Sequence, residues 1–457
     1  MMTRFLAFLL LVVTASPAFA AKGKVLDVQV IKGPPGTTVW LVEDHTVPVI
    51  SMSYSFEGGL AYDPEDKPGT GRLVSMLLDE GAGDMKSQEF QGQMEDNAIN
   101  LSFTAGRDAF YGSVSTLSAT RDLAFDLLSL ALSKPRFDQD AIDRMKNANI
   151  SEIKRDMGDP SWLVARTFNG MLFEGHYYAR PGYGTLDSMA AITRKDLLDF
   201  VAAQFGRNVL KVSISGDISK EDAEKAVDKI FAGLPEKAEA VDTPEAPINY
   251  GGKIIMLPLD TPQTFISAGE PGLKRNDKEW HAAMVMNYIL GGSSFDARLM
   301  KEIREKRGLT YGVYSLLSST KHAGLMQVNM SASNDKVEEA LRLMKESYAA
   351  MAKDGPTAEE FQNAKSYLTG ALPLELTSTG EIANVMNSMQ RDDLGPDYIN
   401  KHNAIINALT IDDIKHAAAR LLKPENFTTV LVGKPRNIKV DILLDKPPGM
   451  GGGDKAP

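Results

Sequence analysis

The chain has 457 residues, a formal charge of -10 at pH 7 and no cysteine. The missing cysteines exclude disulfides, thiolate metal sites and cysteine nucleophiles, and the missing basic excess excludes a general nucleic-acid binder, because phosphates would go unneutralised. With 43% hydrophobic and 24% charged side chains, the composition is that of a globular protein long enough for two or more domains.

The first twenty residues, "MMTRFLAFLLLVVTASPAFA", combine Arg4, an apolar run from Phe5 to Val13 and a small-residue site at Ala18-Phe19-Ala20. This is the pattern of a secretory signal peptide over 1–20, with the mature chain expected to begin at Ala21 and to be secreted, most simply to a periplasm. The apolar run is shorter than the roughly 20 residues a membrane span needs. Next comes "GTGRLVSMLLDEGAG", Gly69 to Gly83. It predicts a short helix with Leu73, Met76 and Leu77 inward, Arg72, Ser75 and Asp79 on another face, and a stop at Gly81. "INLSFTAGRDAFYGSVSTL", Ile99 to Leu117, predicts two strands around a polar turn near Gly106. "RPGYGTLDSM", Arg180 to Met189, is expected to be a connector.

Farther along, the chain repeats itself. "SKPRFDQDAIDRMKNANISEI" is similar to "KDGPTAEEFQNAKSYLTGAL", with Pro135 and Pro356 lying 221 positions apart. In "ITRKDLLDFVAAQFGRNVLKVSISGD" and "LTIDDIKHAAARLLKPENFTTVLVGK", Thr193 matches Thr410, Asp196 matches Asp413 and Gly216 matches Gly433, each at a shift of 217. Both threonines sit where a capping box places its hydroxyl, with the acid three residues on. A buried strand ending at glycine follows each helix. Two blocks repeating in the same order indicate an internal duplication of an α+β domain. The halves are expected at 21–235 and 251–440, with a Pro/Glu/Ala-rich linker over 236–250 and a disordered tail over 441–457.

"LGGSSFDARLMKEIREKRGLTYGVYS", Leu290 to Ser315, reads as a Gly-Ser turn and then a helix with Leu299 and Ile303 inward. Gly308 closes that helix before an aromatic strand from Tyr311. The charges of "KEIREKR" are otherwise a solvated helix face, and Arg298, Lys301 and Arg307 receive no role. His45, His176, His281, His322, His402 and His416 contain no pair at helical spacing, so no single helix presents two imidazoles.

Taken together, these segments resemble the inverzincins, the family of pitrilysin and the mitochondrial processing peptidase. The resemblance runs from about Val25 to Val440 and is strongest over Leu290–Ser315. It implies two homologous α/β-layer domains that form half of a clamshell. Catalytic members carry H-x-x-E-H on the helix that corresponds to Gly69–Gly83, where two imidazoles hold zinc and the glutamate takes a proton from bound water. Here those positions are Arg72, Ser75 and Met76. A guanidinium cannot coordinate a dication, serine is a poor base, and a thioether is too soft to prefer zinc. The third ligand corresponds to Glu152, retained but isolated, and is read as a solvated or Arg-paired side chain. No metal or other cofactor is therefore expected in this chain.

The second half matches the family's arginine and tyrosine seven residues apart, as Arg304 and Tyr311, with Lys306 and Leu309 between them. The resemblance implies that this pair binds substrate carbonyls and stabilises the oxyanion; one such donor is typically worth about 2.7 to 4 kcal/mol. It also implies a companion: a homologous subunit with H-x-x-E-H and zinc, the two chains forming a heterodimeric peptidase in which Arg304 and Tyr311 act in trans on a peptide. In catalytic relatives the substrate adds as a strand to an exposed sheet edge. The alternative is a catalytically inert peptide-binding or scaffold protein of the same fold. A third reading, an autonomous peptidase with a relocated metal site, is open to metal analysis of the purified chain.

Overall fold

The computed structural model describes residues 24–292 and 295–451. The expected signal peptide, Ser293 and Ser294 of the Gly-Ser turn, and residues 452–457 of the tail lie outside the described residues.

The first half contributes β1 (Gln29–Ile31), β2 (Thr38–Glu43), β3 (Val49–Glu57), a small hairpin of β4 (Gly81–Ala82) and β5 (Met85–Lys86), then β6 (Asn100–Ala105), β7 (Ala109–Leu117) and β8 (Leu210–Gly216). The second contributes β9 (Ile254–Pro258), β10 (Gln263–Pro271), β11 (Val313–Ser319), β12 (Gly324–Ser333), β13 (Thr428–Gly433) and β14 (Ile442–Leu443). The first large sheet has the order β1-β2-β8-β3-β7-β6, and the second, read from its far edge, β14-β9-β13-β10-β12-β11. Five strands follow the same order in both sheets, β2-β8-β3-β7-β6 and β9-β13-β10-β12-β11; the sixth is added at the same edge by β1 from the start of the first half, antiparallel, and by β14 from the end of the second, parallel. Both capping boxes form: Asp196 and Asp413 accept from the backbone N–H of Thr193 and Thr410 at 2.7 and 2.8 Å, which fixes where each helix enters its strand.

Strand β3 shows how sequence becomes layer. Its period-2 pattern places Ile50, Met52, Tyr54 and Phe56 in the first hydrophobic core, and Ser51, Ser53 and Ser55 on the opposite face. That serine face is covered by the helix Thr379–Arg391, which comes from the second half. Reciprocally, the helix Pro160–Leu172 of the first half crosses β10 and β13. Each half thus lends a helix to the other's sheet. The Pro160–Leu172 crossing is apolar, with Phe168 and Leu172 packed among Leu257, Val430 and Val432.

Two boundaries differ from the sequence reading. The tail was expected to be disordered from 441, yet Ile442–Leu443 pairs in parallel with β9, and the Pro448 carbonyl accepts from Arg166. The edge of β9 needs a partner, and the tail supplies one where β1 does so in the first sheet. The 236–250 linker carries neither helix nor strand but is docked, since Ala246 N–H donates to the His322 carbonyl (2.8 Å) and Asn249 N–H to that of Leu172 (2.9 Å).

One core position is anomalous. Glu270 on β10 occupies the place that Phe56 holds in the first sheet, by the register of each strand on its β8 or β13 neighbour. It is 1% exposed, accepts one bond from Lys423 N–H (2.9 Å), and its other oxygen has no partner. Burial pushes its carboxyl up to about 8. The folded chain therefore holds a proton that the unfolded chain releases near pH 4.5, so stability falls as pH rises from there through about 8. Glu270→Gln is expected to flatten this slope, which approaches about 1.4 kcal/mol per pH unit, in urea titrations at pH 5, 6, 7 and 8.

Candidate functional site

The helix of the opening motif spans Thr70–Ser75, and the residues after it continue as turns through Leu77 N–H to the Val74 carbonyl and Glu80 N–H to that of Leu77. Expected to run to Gly81, it is cut short because its last turn tightens into i→i+3 bonds. The facing also differs: Leu73, Val74, Leu77 and Leu78 are fully buried, Ser75 is buried, and Met76 is only half-buried. The entry loop is held by Asp63, whose carboxylate accepts from Gly69 and Gly71 N–H, both at 2.7 Å. Burial pushes that carboxyl up to about 7 against the opposing pull of these bonds. Gly69 has φ 88°, and a Cβ there would come within 2.7 Å of Gly184 N, so only glycine fits. The segment from Arg180 is thereby more than a connector. Arg180 donates to the Asp63 carbonyl (3.0 Å) and Ser188 to that of Pro68 (2.8 Å), bracing the loop from outside.

Arg72 donates to Glu152 at 3.0 Å, and its guanidinium lies 4.8 Å from the centroid of the Tyr183 ring. Arg155 reaches the other oxygen of Glu152 at 3.4 Å. Ser75 turns its hydroxyl inward to the Arg72 carbonyl, 2.7 Å away. The surviving carboxylate is thus engaged by two guanidiniums. Glu152→Gln removes the acceptor charge and leaves Arg72, whose Nε is already buried without a partner, facing a neutral amide. Both side chains keep about a quarter of their exposure, so the expected cost is about 1 kcal/mol, read as a shifted urea midpoint at unchanged slope.

Arg304 and Tyr311 flank the free edge of the second sheet, where among the described residues β11 pairs with β12 alone. The helix carrying Arg304 is a π-turn over Met300–Glu305, in which Lys306 N–H reaches back five residues to the Lys301 carbonyl at 3.0 Å. Its wide turn is pinned by the buried Leu299, Met300 and Ile303, and such turns recur at functional sites. The Arg304 guanidinium rests 3.9 Å from Met300 Sδ and 5.2 Å from the Phe295 ring centroid, and among the described residues it has no carboxylate partner. Tyr311 is 83% exposed. The strand expected from Tyr311 starts at Val313 instead, because the Thr310 hydroxyl accepts from Gly312 N–H (3.1 Å) and donates to its carbonyl (2.8 Å), keeping Tyr311 in a turn. Tyr314 and Leu316 on β11 are also exposed.

Two family models match: residues 38–180 fit the description "Insulinase (Peptidase family M16)" and residues 191–368 fit "Peptidase M16 inactive domain". The chain belongs to peptidase family M16. The M16 assignment agrees with the resemblance read from the sequence. Similar proteins include the "Non-peptidase homolog YmxG" of Helicobacter pylori, 27% identical over 73% of this chain and 77% of that protein. The "Uncharacterized zinc protease YmxG" of Bacillus subtilis is 23% identical over 88% of this chain and 97% of its own length. Among solved structures, a peptidase M16 inactive domain from Pseudomonas fluorescens superposes with a TM-score of 0.85 at 27% identity, covering 92% of this chain and all of that one.

The residues at the M16 zinc position do not fit a metal. Their donor set is one guanidinium, one hydroxyl turned to the backbone, one thioether and one carboxylate already ion-paired. No group of three or more His, Asp or Glu side chains placed to hold a metal occurs among the described residues. The histidines are dispersed in other roles: His281 faces the Tyr398 hydroxyl at 2.8 Å, and burial holds it down at about 4. Sequence reasoning missed Asp63, Tyr183 and Phe295 as supports of the M16 segments, and it gave Arg298 no role. Arg298 binds Glu360 through two nitrogens at 2.7 and 2.6 Å and so ties the start of the Arg304 helix to the helix Ala358–Ala371. Only Asp63 carried a signal, an acid shortly before a Gly-x-Gly turn.

Proposed function

We propose that this chain is the non-metal-binding subunit of a secreted, periplasmic, heterodimeric zinc metallopeptidase. Its Arg304 and Tyr311 act at the zinc of a homologous partner subunit bearing H-x-x-E-H. The carrying observation is that both side chains are presented rather than consumed. Arg304 has no acidic partner among the described residues, and the Tyr311 hydroxyl has no hydrogen bond there, beside an unpaired sheet edge. Hydrolysis at zinc builds negative charge on the scissile carbonyl oxygen, and a waiting guanidinium and phenol can stabilise it without reorganising. The degenerate motif supports the division of labour, since this half lacks a nucleophile generator. The name of the Helicobacter relative, a non-peptidase homolog, is in keeping with a chain that is inert alone.

The test is reconstitution. A fluorogenic peptide is expected to be cleaved when this chain is mixed with its zinc-bearing partner, and not by either alone; full activity of the zinc subunit by itself defeats the reading. A peptide-binding scaffold is the second reading, and the exposed aromatic surface of Phe295, Tyr311 and Tyr314 favours it. It becomes the better account when the mixture binds peptide without cleaving it.

A further inference from the structure

The two helix crossings are unlike in a way that marks a site. In the helix Pro160–Leu172 the residues packed on the second sheet include Phe168 and Leu172; 219 positions on, in the helix Thr379–Arg391, stand Asn387 and Arg391. The duplicated framework is the same, but packed hydrocarbon is replaced by an amide and a guanidinium. The space is not filled. A cavity of about 220 Å³ lies between that helix and the serine face, lined by Ser53, Ser102, Thr104, Ser113, Asn384 and Arg391 among others. A second of about 460 Å³ adjoins it where the halves meet, and Tyr111 and Arg391 line both.

Arg391 differs from the other cations around these cavities. In the larger cavity Lys321 is bound to Glu57 at 2.6 Å, Lys274 to Glu245 at 2.5 Å, and Arg275 to Asp392 at 3.5 Å and to the Tyr398 hydroxyl at 2.6 Å. Asp393 is held by Lys211 at 3.3 Å, and Asp108 accepts from Tyr177, Tyr178 and Lys321 N–H. Arg391 alone of these cations makes no close ion pair among the described residues; it feels Asp392 only at longer range and bonds to Tyr111. Its guanidinium lies 4.5 Å from the Tyr111 ring centroid, and its Nε is buried without an acceptor.

We propose that this cavity binds the C-terminal carboxylate of a peptide, with the Arg391 fork as counter-charge and Asn384, Ser102 and Thr104 as neutral donors. A single guanidinium matches a planar monoanion, and the donor set has no second free cation for a dianionic phosphate. Ser102 and Thr104 are exposed on β6, the open edge of the first sheet, so a peptide anchored here has a route along the sheet or into the larger cavity. The inference rests on the reading that the chain handles peptides, but it concerns binding by this chain alone.

The experiment is fluorescence anisotropy of the full chain with a labelled neutral decapeptide, as free acid and as C-terminal amide. The acid is expected to bind about tenfold to a hundredfold more tightly. Arg391→Gln is expected to erase the preference and Arg391→Lys to keep part of it. Ser102→Leu, on the exposed edge, blocks the cavity without touching the charge and serves if the Arg391 variants fail to fold by circular dichroism. Equal binding of acid and amide, or a preference that survives both Arg391→Gln and Ser102→Leu, overturns the anchor and leaves peptide handling intact. Binding of neither peptide overturns both.

Discussion

In a reconstituted pair with the zinc-bearing subunit, Arg304→Ala is expected to lower kcat/KM by roughly a hundredfold to a thousandfold, the usual effect of deleting one preorganised donor at an oxyanion. Tyr311→Phe is expected to fall in the same range, but with a different signature. A phenol that meets only the developing oxyanion changes kcat and leaves KM in place, whereas a guanidinium that also holds ground-state carbonyls changes both. The double variant is expected to lose less than the product of the two, because both donors serve one oxygen. Neither residue belongs to the core: Tyr311 is exposed, and Arg304 is half-buried with its guanidinium beside Met300 Sδ and the Phe295 ring. Melting temperature and elution as a heterodimer are therefore expected to match wild type. Wild-type rates from both single variants would remove Arg304 and Tyr311 from the chemistry and leave the scaffold reading in possession.

What could be read in the sequence was local or repeated. Thr193 with Asp196 and Thr410 with Asp413 were legible because a capping box is written within four residues. The duplication was legible because its blocks recur in order, and the matched order of five strands in each sheet shows why they do. The loss of histidine at Arg72 and Met76 was plain from residue type. The pairing of Arg72 with Glu152 joins residues 80 positions apart, and no local rule specifies it. The π-turn was hidden for another reason. An i→i+5 bond at Lys306 is selected by how Leu299, Met300 and Ile303 fit the second core, not by propensity. The crossing of helices between halves left only a hint: in Pro160–Leu172, Leu163, Val164, Thr167, Phe168, Met171 and Leu172 are all buried. A helix apolar on so many sides must be covered twice, but its sequence does not say by what. The tail was misread because Gly and Pro dominate it after Lys446, while the strand pair Ile442–Leu443 is too short to show alternation.

Phe168→Ala is expected to destabilise the chain by about 3 to 5 kcal/mol, the cost of emptying a filled aromatic site. Phe168 is fully buried between the helix that carries it and the second sheet, and its ring tip takes the space a Cβ on Gly269 would need, 2.8 Å away. The complementary change Gly269→Ala overpacks the same contact and is expected to cost about 1 to 3 kcal/mol. The opposite crossing depends on different forces. Met386 and Met389 pack beside Trp40 on one flank of the helix Thr379–Arg391. On the other flank Asn387 donates to the Lys211 carbonyl (3.1 Å) and Gln390 to that of Val212 (2.8 Å). Asn387→Ala is expected to cost only about 1 kcal/mol, since such bonds largely exchange with water. The halves are therefore fastened unequally, and opening is expected to begin at the crossing held by amide hydrogen bonds. Hydrogen exchange should find the amides of Thr379–Arg391 less protected than those of Pro160–Leu172, with Phe168→Ala removing the difference. If the polar crossing proves the slower to exchange, the unequal fastening inferred from these contacts is wrong.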